Sequence, residues 1–528
     1  MAKEFYVTTK EPIVETPKGK IRGFHYRGVD HFHGIRYAKA KRFEMPKPIE
    51  AWEGVKDAFS YGMNCPVLNE PMPSGEVRMP HRFWPSSEHC QYLNIWTPGC
   101  DDKKRPVLFW MHGGGYASGS AIEQVCYDGY NLAKLDDVVL VTVNHRLNAF
   151  GYLDMSAYGE KFANSVNVGM ADLVEALRWV RDNIACFGGD PDNVTIYGQS
   201  GGGGKTTVLG QIPEAEGLFH KMIVMSGVLS GLGLFGNAVD SKEVAKAILE
   251  YLKIPEDEAE KLQKVPTPQY IWAVNAVTKK FMKEGKMVSW EPVPNYYYTC
   301  DPMEGDFSAY SLKIPTMVGS VIAEFAFASP DFGVREALTE EEREAAVKSY
   351  YGEEGGEKII AEFRKQYPNT NIVYSVDFDG AFLPATIEYC KKKAKEASAP
   401  VYNYFFTKIF DYDKGAAAWH CSDIPYFFHN AELIPICHQP GYQKMDLEMS
   451  SMFVNFARTG DPNGANVPEW PACTKDGDVV TMVIDDESFT GVNKQDELIK
   501  LVGQYKPPFH FDFHAEDEDD EEGSAWIF

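Results

Sequence analysis

The feature that most limits the possible fold is the alternation of short apolar segments with helical patterns in the first half of the chain. Uninterrupted apolar residues predict buried strands at residues 106–111 and 138–144. Residues 170–184 carry apolar side chains every three or four positions, which predicts an amphipathic helix, and a further strand is expected at 193–197. Alternation of this kind is typical of a largely parallel sheet with helices on both faces.

The second half of the chain interrupts this pattern with helical stretches. Residues 228–313 lack strand patterns, a strand is predicted again at 315–319, and residues 331–398 are expected to be mostly helical. The sequence contains neither an internal repeat nor a linker rich in glycine and serine. We therefore expect one α/β domain over residues 1–510, with helical cap insertions, followed by a disordered acidic tail at 515–528.

Composition excludes several classes of protein. The chain of 528 residues has a formal net charge of −24, which repels nucleic acid and anionic membranes and favours neutral or cationic small molecules. It contains no apolar run of 18 residues or more, so we expect no membrane span. The first residues lack the apolar core of a secretory signal, and we expect a cytoplasmic protein.

The cysteine and histidine patterns do not predict a metal site. Ten cysteines in a chain of this length are not a disulfide framework, and without a secretion signal we expect them to be mostly reduced. Neither a Cys-x-x-Cys nor a His-Glu-x-x-His motif is present. His31 and His33 share one face of a predicted strand, where a structural role is favoured over metal binding. We expect neither a metal nor an organic cofactor.

The sequence GQSGGGGKTT, residues 198–207, admits two different chemistries. Its end resembles a phosphate-binding loop, but that loop requires glycine at the position of Gln199. Neither of the neighbouring apolar strands ends in the aspartate that would hold magnesium in a nucleotide-binding enzyme. A nucleotide site is therefore disfavoured.

The same stretch matches the Gly-x-Ser-x-Gly turn that presents a nucleophilic serine. Ser200 follows a predicted strand and precedes a helix-like segment, which is where this strained turn occurs. The sequence HGGG at 112–115 directly follows another strand, and its glycines allow backbone amides to face a developing oxyanion. The two motifs together indicate acyl transfer with Ser200 as the nucleophile.

A serine nucleophile also needs a base and an acid. His420 lies in a loop of small residues after a predicted strand, where α/β sheets place their chemistry. The acid is expected between the serine and the histidine in sequence, and Glu324 is the single carboxylate in an apolar segment after the strand at 315–319. Asp331 and Asp306 are weaker candidates for the acid.

Seven segments, taken together, resemble the type-B carboxylesterase family, and the resemblance extends from about residue 20 to about residue 510. They are, in chain order, FHGIRYA, CQYLNIWTPG, HGGGYASGS, VNHRLNAFGYLD, NIACFGGDPDNVTIYGQSGGG, HCSDIPYFF and FARTGDPNG. The resemblance implies an α/β-hydrolase fold, with a mixed and mostly parallel sheet, and a serine esterase of bacterial type. It implies a catalytic triad of Ser200, Glu324 and His420, and an oxyanion hole formed by the amides of Gly114, Gly115 and Gly201.

The family pattern also implies two structural pairs. Glu88 and Arg146 are expected to form an ion pair, and Cys65 and Cys90 stand at positions that are disulfide-bonded in secreted relatives. The sequence leaves open whether these two thiols are bonded here.

The chain departs from the family pattern at two motifs. The elbow usually reads Glu-Ser-Ala-Gly, whereas here it reads Gln-Ser-Gly-Gly, so the amide after the serine belongs to the more mobile Gly201. The acid segment usually reads Gly-Thr-Asn-x-Asp-Glu-Gly, and here only the first glycine and Glu324 are kept. Gly203 and Gly204 have no role in the pattern, and Lys205 is expected to be structural or solvent-facing.

The resemblance predicts a carboxylesterase that hydrolyses esters of neutral small molecules, with aryl or short to medium acyl groups, through an acyl-enzyme intermediate. Tyr116, Phe325 and Trp419 flank the candidate catalytic positions and are expected to line the substrate pocket. Trp290 and residues 296–298 are candidates for its lid or for the core. The alternatives are an amidase or carbamate hydrolase that uses the same triad, and a non-catalytic binding protein on the same fold.

Overall fold

The computed structural model describes residues 7–68, 79–229, 238–324 and 330–507. Phe325 and the acidic tail at 515–528, for which the sequence made specific predictions, lie outside the described residues.

The described residues begin with ten strands, and strands and α-helices are interspersed after them. The strands are β1 (Val7–Thr8), β2 (Ile13–Thr16), β3 (Gly19–Arg22), β4 (Phe24–Tyr26), β5 (Val29–Arg36), β6 (Ala38–Lys39), β7 (Lys47–Pro48), β8 (Val55–Asp57), β9 (Tyr92–Thr97), β10 (Arg105–Met111), β11 (Val139–Val143), β12 (Gly189–Gln199), β13 (Lys221–Met225), β14 (Thr316–Val321), β15 (Val401–Phe406), β16 (Ile409–Phe410), β17 (Ala416–Ala417), β18 (Val480–Ile484) and β19 (Phe489–Val492). The α-helices are α1 (Tyr130–Asp136), α2 (Asn148–Tyr152), α3 (Val168–Asn183), α4 (Gly201–Leu209), α5 (Ser241–Tyr251), α6 (Thr267–Lys283), α7 (Glu340–Tyr351), α8 (Glu353–Gln366), α9 (Phe382–Glu396), α10 (Ile424–Phe427), α11 (Tyr442–Thr459) and α12 (Asp496–Tyr505).

Most of the longer strands form one mixed sheet in the order β1-β4-β5-β9-β11-β10-β12-β13-β14-β15-β18-β19. The neighbouring strands from β11 to β18 in this order run parallel to one another. Antiparallel strands flank them, since β9 pairs with β11 and β19 pairs with β18. The predicted α/β architecture with a largely parallel sheet is confirmed. Strand β12 begins earlier than predicted, because Gly189 already pairs with Arg105 of β10.

The central strands are apolar because both faces of the sheet are covered. In β10, Val107, Phe109 and Met111 belong to one buried cluster, whereas Leu108 and Trp110 belong to another. Alternate side chains of a strand point to opposite faces, so a strand covered on both sides has no solvent-facing side and is mostly apolar.

Two helical stretches separate strands of the parallel sheet. The first lies between β13 and β14 and contains α5 and α6, and the second lies between β14 and β15 and contains α7, α8 and α9. Trp290, Tyr297 and Tyr298 in the first stretch are buried, whereas Tyr296 is 69% exposed. Three of the four candidate lid aromatics therefore belong to the core.

The described ranges contain neither a membrane-spanning helix nor a cluster of metal ligands. No helix there is long and apolar enough to cross a membrane. In the same ranges, no group of three or more His, Cys, Asp and Glu side chains is arranged to hold a metal ion. All ten cysteines are described, and all are free thiols, with Cys65 and Cys90 both buried.

Arg146 is held in the protein interior by Asp172, a carboxylate of α3. The guanidinium donates to both oxygens of Asp172, from Nε at 2.8 Å and from Nη2 at 2.7 Å. Its Nη1 donates to the carbonyls of Lys41 and Glu44 at 3.1 and 2.9 Å. Both side chains of the ion pair are almost fully buried. A charge buried in this way depends on its counter-ion, because an unpaired guanidinium would have lost its hydration without compensation.

The ion pair between Glu88 and Arg146 that the family pattern implied is wrong. Glu88 instead accepts hydrogen bonds from Arg42 Nε at 2.7 Å and from Thr267 Oγ1 at 2.5 Å. The Arg42 guanidinium lies over the ring of Tyr270, 4.4 Å from its centroid. Helix α3 places Asp172 next to Arg146, and Glu88 pairs with Arg42 instead.

We expect Asp172→Asn to lower the free energy of unfolding by about 3–5 kcal/mol, because it leaves Arg146 as an uncompensated buried charge. Asp182 is the matched control, since it pairs with Arg181 on the surface and its side chain is 54% exposed. Asp182→Asn should change the free energy of unfolding by less than about 1 kcal/mol. Urea unfolding measures both, and equal effects of the two substitutions would contradict the role given to Asp172.

Candidate active site

Ser200 lies in a sharp turn between strand β12 and helix α4. Its backbone angles are φ 57° and ψ −127°, a region that non-glycine residues rarely occupy. The Ser200 N–H donates to the carbonyl of Met225 in β13 at 2.8 Å, and the Ser200 carbonyl accepts from the N–H of Gly204 at 3.0 Å. These bonds hold the strained serine at the carboxyl edge of the sheet, at the N-terminus of α4, where the helix dipole is positive.

Close packing explains the four consecutive glycines that begin α4. A β-carbon built on any of them would lie within 3 Å of another group, a separation that real β-carbons essentially never show. The nearest atoms are Gly115 O for Gly201 (2.1 Å), Met111 O for Gly202 (2.1 Å), Gly227 Cα for Gly203 (2.7 Å) and Leu229 Cδ1 for Gly204 (2.6 Å). Gly203 and Gly204, for which the sequence supplied no role, allow α4 to pack against the chain that follows β13.

The glycine-rich loop after β10 contacts the same turn. Gly114 and Gly115 have φ values of 80° and 58°. The Gly114 carbonyl accepts from the N–H groups of Ala117 and Ser118 at 3.2 and 3.0 Å, so the Gly115 N–H, on the other side of the same planar peptide, points away from this turn. Because Gly115 O lies so close to position 201, alanine there would displace the loop. This contact explains why Gly201 stands where the family pattern has alanine.

His420 and Glu324 meet at the same edge of the sheet. His420 Nδ1 is hydrogen-bonded to Glu324 Oε2, and the Val321 N–H donates to Glu324 Oε1 at 3.1 Å. Glu324 is almost fully buried, with 1% of its surface exposed. A carboxylate only accepts hydrogen bonds, so Nδ1 carries the proton and Nε2 of the neutral ring keeps its lone pair. The pair therefore presents an oriented base.

Backbone pairing between two loops brings this acid to the histidine. The Ala323 N–H donates to the carbonyl of Ala418 at 3.0 Å, and Ala323 forms a parallel bridge with Trp419. Asp331, an alternative acid in the sequence, pairs with Lys414 at 2.7 Å, and its side chain is 70% exposed. The other alternative, Asp306, is placed elsewhere, with its backbone carbonyl accepting from Gln211 Nε2 at 2.8 Å. The backbone pairing between these two loops therefore places Glu324, and neither Asp331 nor Asp306, beside His420.

Two neighbours of His420 were not singled out from the sequence. Gln199 Nε2 lies 3.2 Å from Nε2 and 3.3 Å from Nδ1 of the imidazole, and Gln199 Oε1 accepts from the thiol of Cys421 at 3.1 Å. The ring of Phe382 packs on His420 with a centroid distance of 5.3 Å. The motif position before Ser200 could have identified Gln199, whereas Phe382 belongs to α9 and carries no sequence signal.

Two further buried carboxyl groups surround Glu324. Burial, and secondarily the charge of Glu324, raises the pKa of Asp379 to about 7. Burial also raises the pKa of Asp423 to about 7, although Asp423 accepts a hydrogen bond from Tyr404 Oη at 2.7 Å. Protonation of these groups limits the negative charge beside Glu324 near neutral pH.

The aromatic residues expected to line a pocket are largely enclosed by the protein. Tyr116 is 7% exposed and packs edge-on against Tyr152, with a centroid distance of 5.3 Å. Trp419 is 4% exposed and packs on Phe410 at 4.8 Å. Phe325 lies outside the described residues. Trp419 directly precedes His420 in the sequence, and its role towards a substrate stays a prediction.

Comparison with known proteins gives one consistent result. The model of the carboxylesterase family matches residues 10–498. The para-nitrobenzyl esterase of Bacillus subtilis (strain 168) is 31% identical over 473 residues, which cover 87% of this chain and 92% of the relative. Phenmedipham hydrolase of Pseudarthrobacter oxydans is 30% identical over 494 residues, which cover 90% of this chain and 95% of the relative.

A solved structure is more similar still. An esterase from the anaerobe Clostridium hathewayi, described as able to hydrolyse aliphatic aromatic polyesters, superimposes with a TM-score of 0.90 at 42% identity. The match covers 95% of this chain and 99% of that one. The similarity therefore extends over almost the whole of both chains.

The raised pKa of Asp423 predicts that the contribution of this group to stability falls as the pH rises. The folded protein retains this proton up to a pH of about 7, whereas the unfolded chain releases it near the ordinary value of 3.8. The stability that the group contributes is therefore fully present below that ordinary value and is lost as the pH rises through about 7. Asp423→Asn cannot ionise and keeps an acceptor for Tyr404. We expect the urea midpoint of the variant to rise relative to that of wild type as the pH increases from about 4 to about 7. A difference between the two midpoints that stays constant over this range would contradict the raised pKa.

Proposed function

Since the chain belongs to the carboxylesterase family and hydrolyses carboxylic esters, we propose that Ser200, Glu324 and His420 are its catalytic triad. The observation that carries the proposal is the hydrogen bond between His420 Nδ1 and the buried Glu324. It leaves the lone pair of the neutral imidazole on the second ring nitrogen, which can accept a proton at the same sheet edge as the strained serine turn.

The first step is acylation of Ser200. His420 Nε2 takes the hydroxyl proton while Ser200 Oγ forms a bond to the carbonyl carbon of the ester, and the carbonyl π electrons move to its oxygen. Glu324 stays ionised, holds the imidazole in the required tautomer and stabilises the imidazolium that forms.

Three amides stabilise the oxyanion in this proposal, those of Gly114, Gly115 and Gly201. Support comes from the packing of Gly115 on Gly201, which places the loop beside the first turn of α4. Loss of one such donor in a related site lowers kcat by about 10²–10³-fold. The positive end of the α4 dipole adds to the same stabilisation.

The intermediate then collapses in the usual order for a serine esterase. The carbon–oxygen bond to the alcohol breaks as His420 gives its proton to the leaving oxygen, and an acyl-enzyme remains. Water attacks the acyl carbonyl with His420 again as the base. The second collapse breaks the bond to Ser200 Oγ, which regains the proton, and the carboxylic acid leaves.

We propose that the substrates are esters of neutral small molecules, with aryl or short to medium acyl groups. The net charge of −24 disfavours anionic substrates. The names of two relatives, a para-nitrobenzyl esterase and an esterase for aliphatic aromatic polyesters, support an aromatic ester group in the substrate.

Two further expectations from the sequence stay predictions. A cytoplasmic location is checked by detecting the protein in cell fractions. A cap role for the insertions at 228–313 and 331–398, within one domain over 1–510, is checked by crystallography with a bound ester analogue.

We expect a fluorophosphonate to label the protein at Ser200, because the activated hydroxyl attacks phosphorus as it attacks an ester carbonyl. Mass spectrometry of the labelled peptide identifies the site, and a panel of p-nitrophenyl esters and one p-nitroanilide measures activity. Ser200→Ala should remove both labelling and turnover. Labelling at another residue, or turnover that survives Ser200→Ala, would reject the assignment.

We expect Glu324→Gln to lower kcat by about 10⁴-fold, the loss caused by a comparable change in a serine protease, because the amide no longer selects the productive imidazole tautomer. Asp331→Asn is the matched control, since this exposed carboxylate pairs with Lys414. It should leave kcat within about twofold of wild type. A normal rate in Glu324→Gln together with a loss in Asp331→Asn would transfer the acid role to Asp331.

A further inference from the structure

Lys205 is a fully buried lysine that the mechanism above does not use. It lies five positions after Ser200 in α4, and its exposed fraction is 0%. Its Nζ donates to the carbonyl of His112 at 2.9 Å and lies 5.7 Å from the ring centroid of Tyr116. Lysine is among the residues least often buried, because its ammonium loses its hydration. The solvent-facing position that the sequence allowed is therefore wrong, and a buried amine beside the nucleophile requires an explanation.

We propose that Lys205 is a positioning residue for ester hydrolysis. By holding the His112 carbonyl, it orients the start of the loop that supplies the Gly114 and Gly115 amides to the oxyanion. The proposal rests on the proposed function, because it acts through the oxyanion hole assigned there.

The loop is held through three successive carbonyl groups. In a planar peptide the C=O and the following N–H point in opposite directions, so a bonded carbonyl also orients the next amide. The anchored carbonyls of Gly113 and Gly114 thereby orient the N–H groups of Gly114 and Gly115. The anchors are Lys205 Nζ on His112 O (2.9 Å), His112 Nδ1 on Gly113 O (2.9 Å) and the Ser118 N–H on Gly114 O (3.0 Å). Lys205 supplies the first anchor, from the same helix that begins at the nucleophile.

The charge of Lys205 also helps to keep the neighbouring imidazoles neutral. The carbonyl of Gly113 only accepts, so His112 must donate from Nδ1. Burial, and secondarily the charge of Lys205, lowers the pKa values of His112 and of His145, whose rings stack at 4.9 Å. Burial lowers the pKa of Lys205 itself to about 7, and the charge of Glu123 opposes this shift. Both imidazoles therefore stay neutral beside the amine.

The carbonyl and the ring of His112 are closely packed, so a change in their position affects the neighbouring loop. A β-carbon built on Gly202 would lie 2.9 Å from His112 O, and one built on Gly119 would lie 2.4 Å from His112 Nδ1. The carbonyl and the ring of His112 are thus enclosed between α4 and the far end of the loop. Without Lys205, the buried carbonyl of His112 has no hydrogen-bond donor. The peptide after His112 can then rotate slightly, and this rotation changes the orientation of the Gly114 and Gly115 amides.

The test is Lys205→Met, which keeps the length of the side chain and removes its donor. We expect kcat for p-nitrophenyl butyrate to fall about tenfold or more, less than for loss of an oxyanion donor outright, with KM within about threefold of wild type. A trifluoromethyl ketone forms a tetrahedral adduct with the serine, whose oxygen occupies the oxyanion position. Its Ki should rise by the same factor as kcat falls, whereas binding of the matching unreactive methyl ketone should not change.

Lys393→Met is the matched control. Lys393 is also 0% exposed, its Nζ donates to Ser311 Oγ at 3.0 Å, and it lies 5.4 Å from the ring centroid of Phe307. It belongs to α9, and neither of these two contacts involves the glycine-rich loop at 112–115. We expect this substitution to lower the thermal midpoint while kcat and the Ki of the trifluoromethyl ketone stay within about twofold of wild type.

The outcomes separate this inference from the proposed function. A folded Lys205→Met with normal kcat, or with a loss of kcat that leaves the Ki of the trifluoromethyl ketone unchanged, overturns the positioning role, as does an equal loss of kcat in Lys393→Met. If Lys205→Met does not fold, Lys205→Arg, which retains a donor, is used in its place. The positioning role is then tested by whether the Ki of the trifluoromethyl ketone rises by the same factor as kcat falls. Failure of the proposed function is recognised separately, because wild type would then not be labelled at Ser200.

Discussion

The contact between the first turn of helix α4 and the ends of strands β10 and β13 is the constraint on which the site depends. Three glycines, Gly201 to Gly203, allow the helix backbone to touch the backbone that follows or ends both neighbouring strands, at distances that exclude a β-carbon, and Gly204 packs on the side chain of Leu229. Glycine within a helix costs about 1 kcal/mol relative to alanine, so the local helix propensity opposes this arrangement and the tertiary contact stabilises it. The serine turn, the glycine-rich loop at 112–115 and the positive end of the helix are consequently placed by one packing interaction.

Buried polar groups orient the parts that this packing brings together. Glu324 orients His420, Asp172 holds Arg146, and Lys205 holds the loop that begins at His112. In each case a group that has lost its hydration is bonded to a specific partner, and removing that partner costs more than the bond itself contributes. Interactions of this kind add little to net stability, but they select one arrangement of the loops at the carboxyl edge of the sheet.

The sequence predicted the fold and the main catalytic candidates because their signals are local. Apolar runs and helical periodicity lie within single elements, and the motif around Ser200 lies within a few residues of one turn. Prediction failed for Glu88 and Arg146, because the partner of a buried charge depends on which elements pack together. Phe382 and Asp379 were missed for the same reason, since each approaches the site from a segment with no motif of its own. Asp423 lies within the segment HCSDIPYFF, but its burial near Glu324 depends on the folded structure.

The sequence by itself determined the parallel sheet, the serine turn and the identity of the residues that can act as nucleophile, base and acid. Only the tertiary structure decided how these residues are arranged relative to one another. It joined Glu324 to His420 through backbone pairing of two distant loops, assigned a packing contact to each glycine of α4, and turned Lys205 inward to the His112 carbonyl. The physical reason is that propensity and patterning act along the chain, whereas burial and hydrogen bonding depend on neighbours that the chain brings together only when it folds.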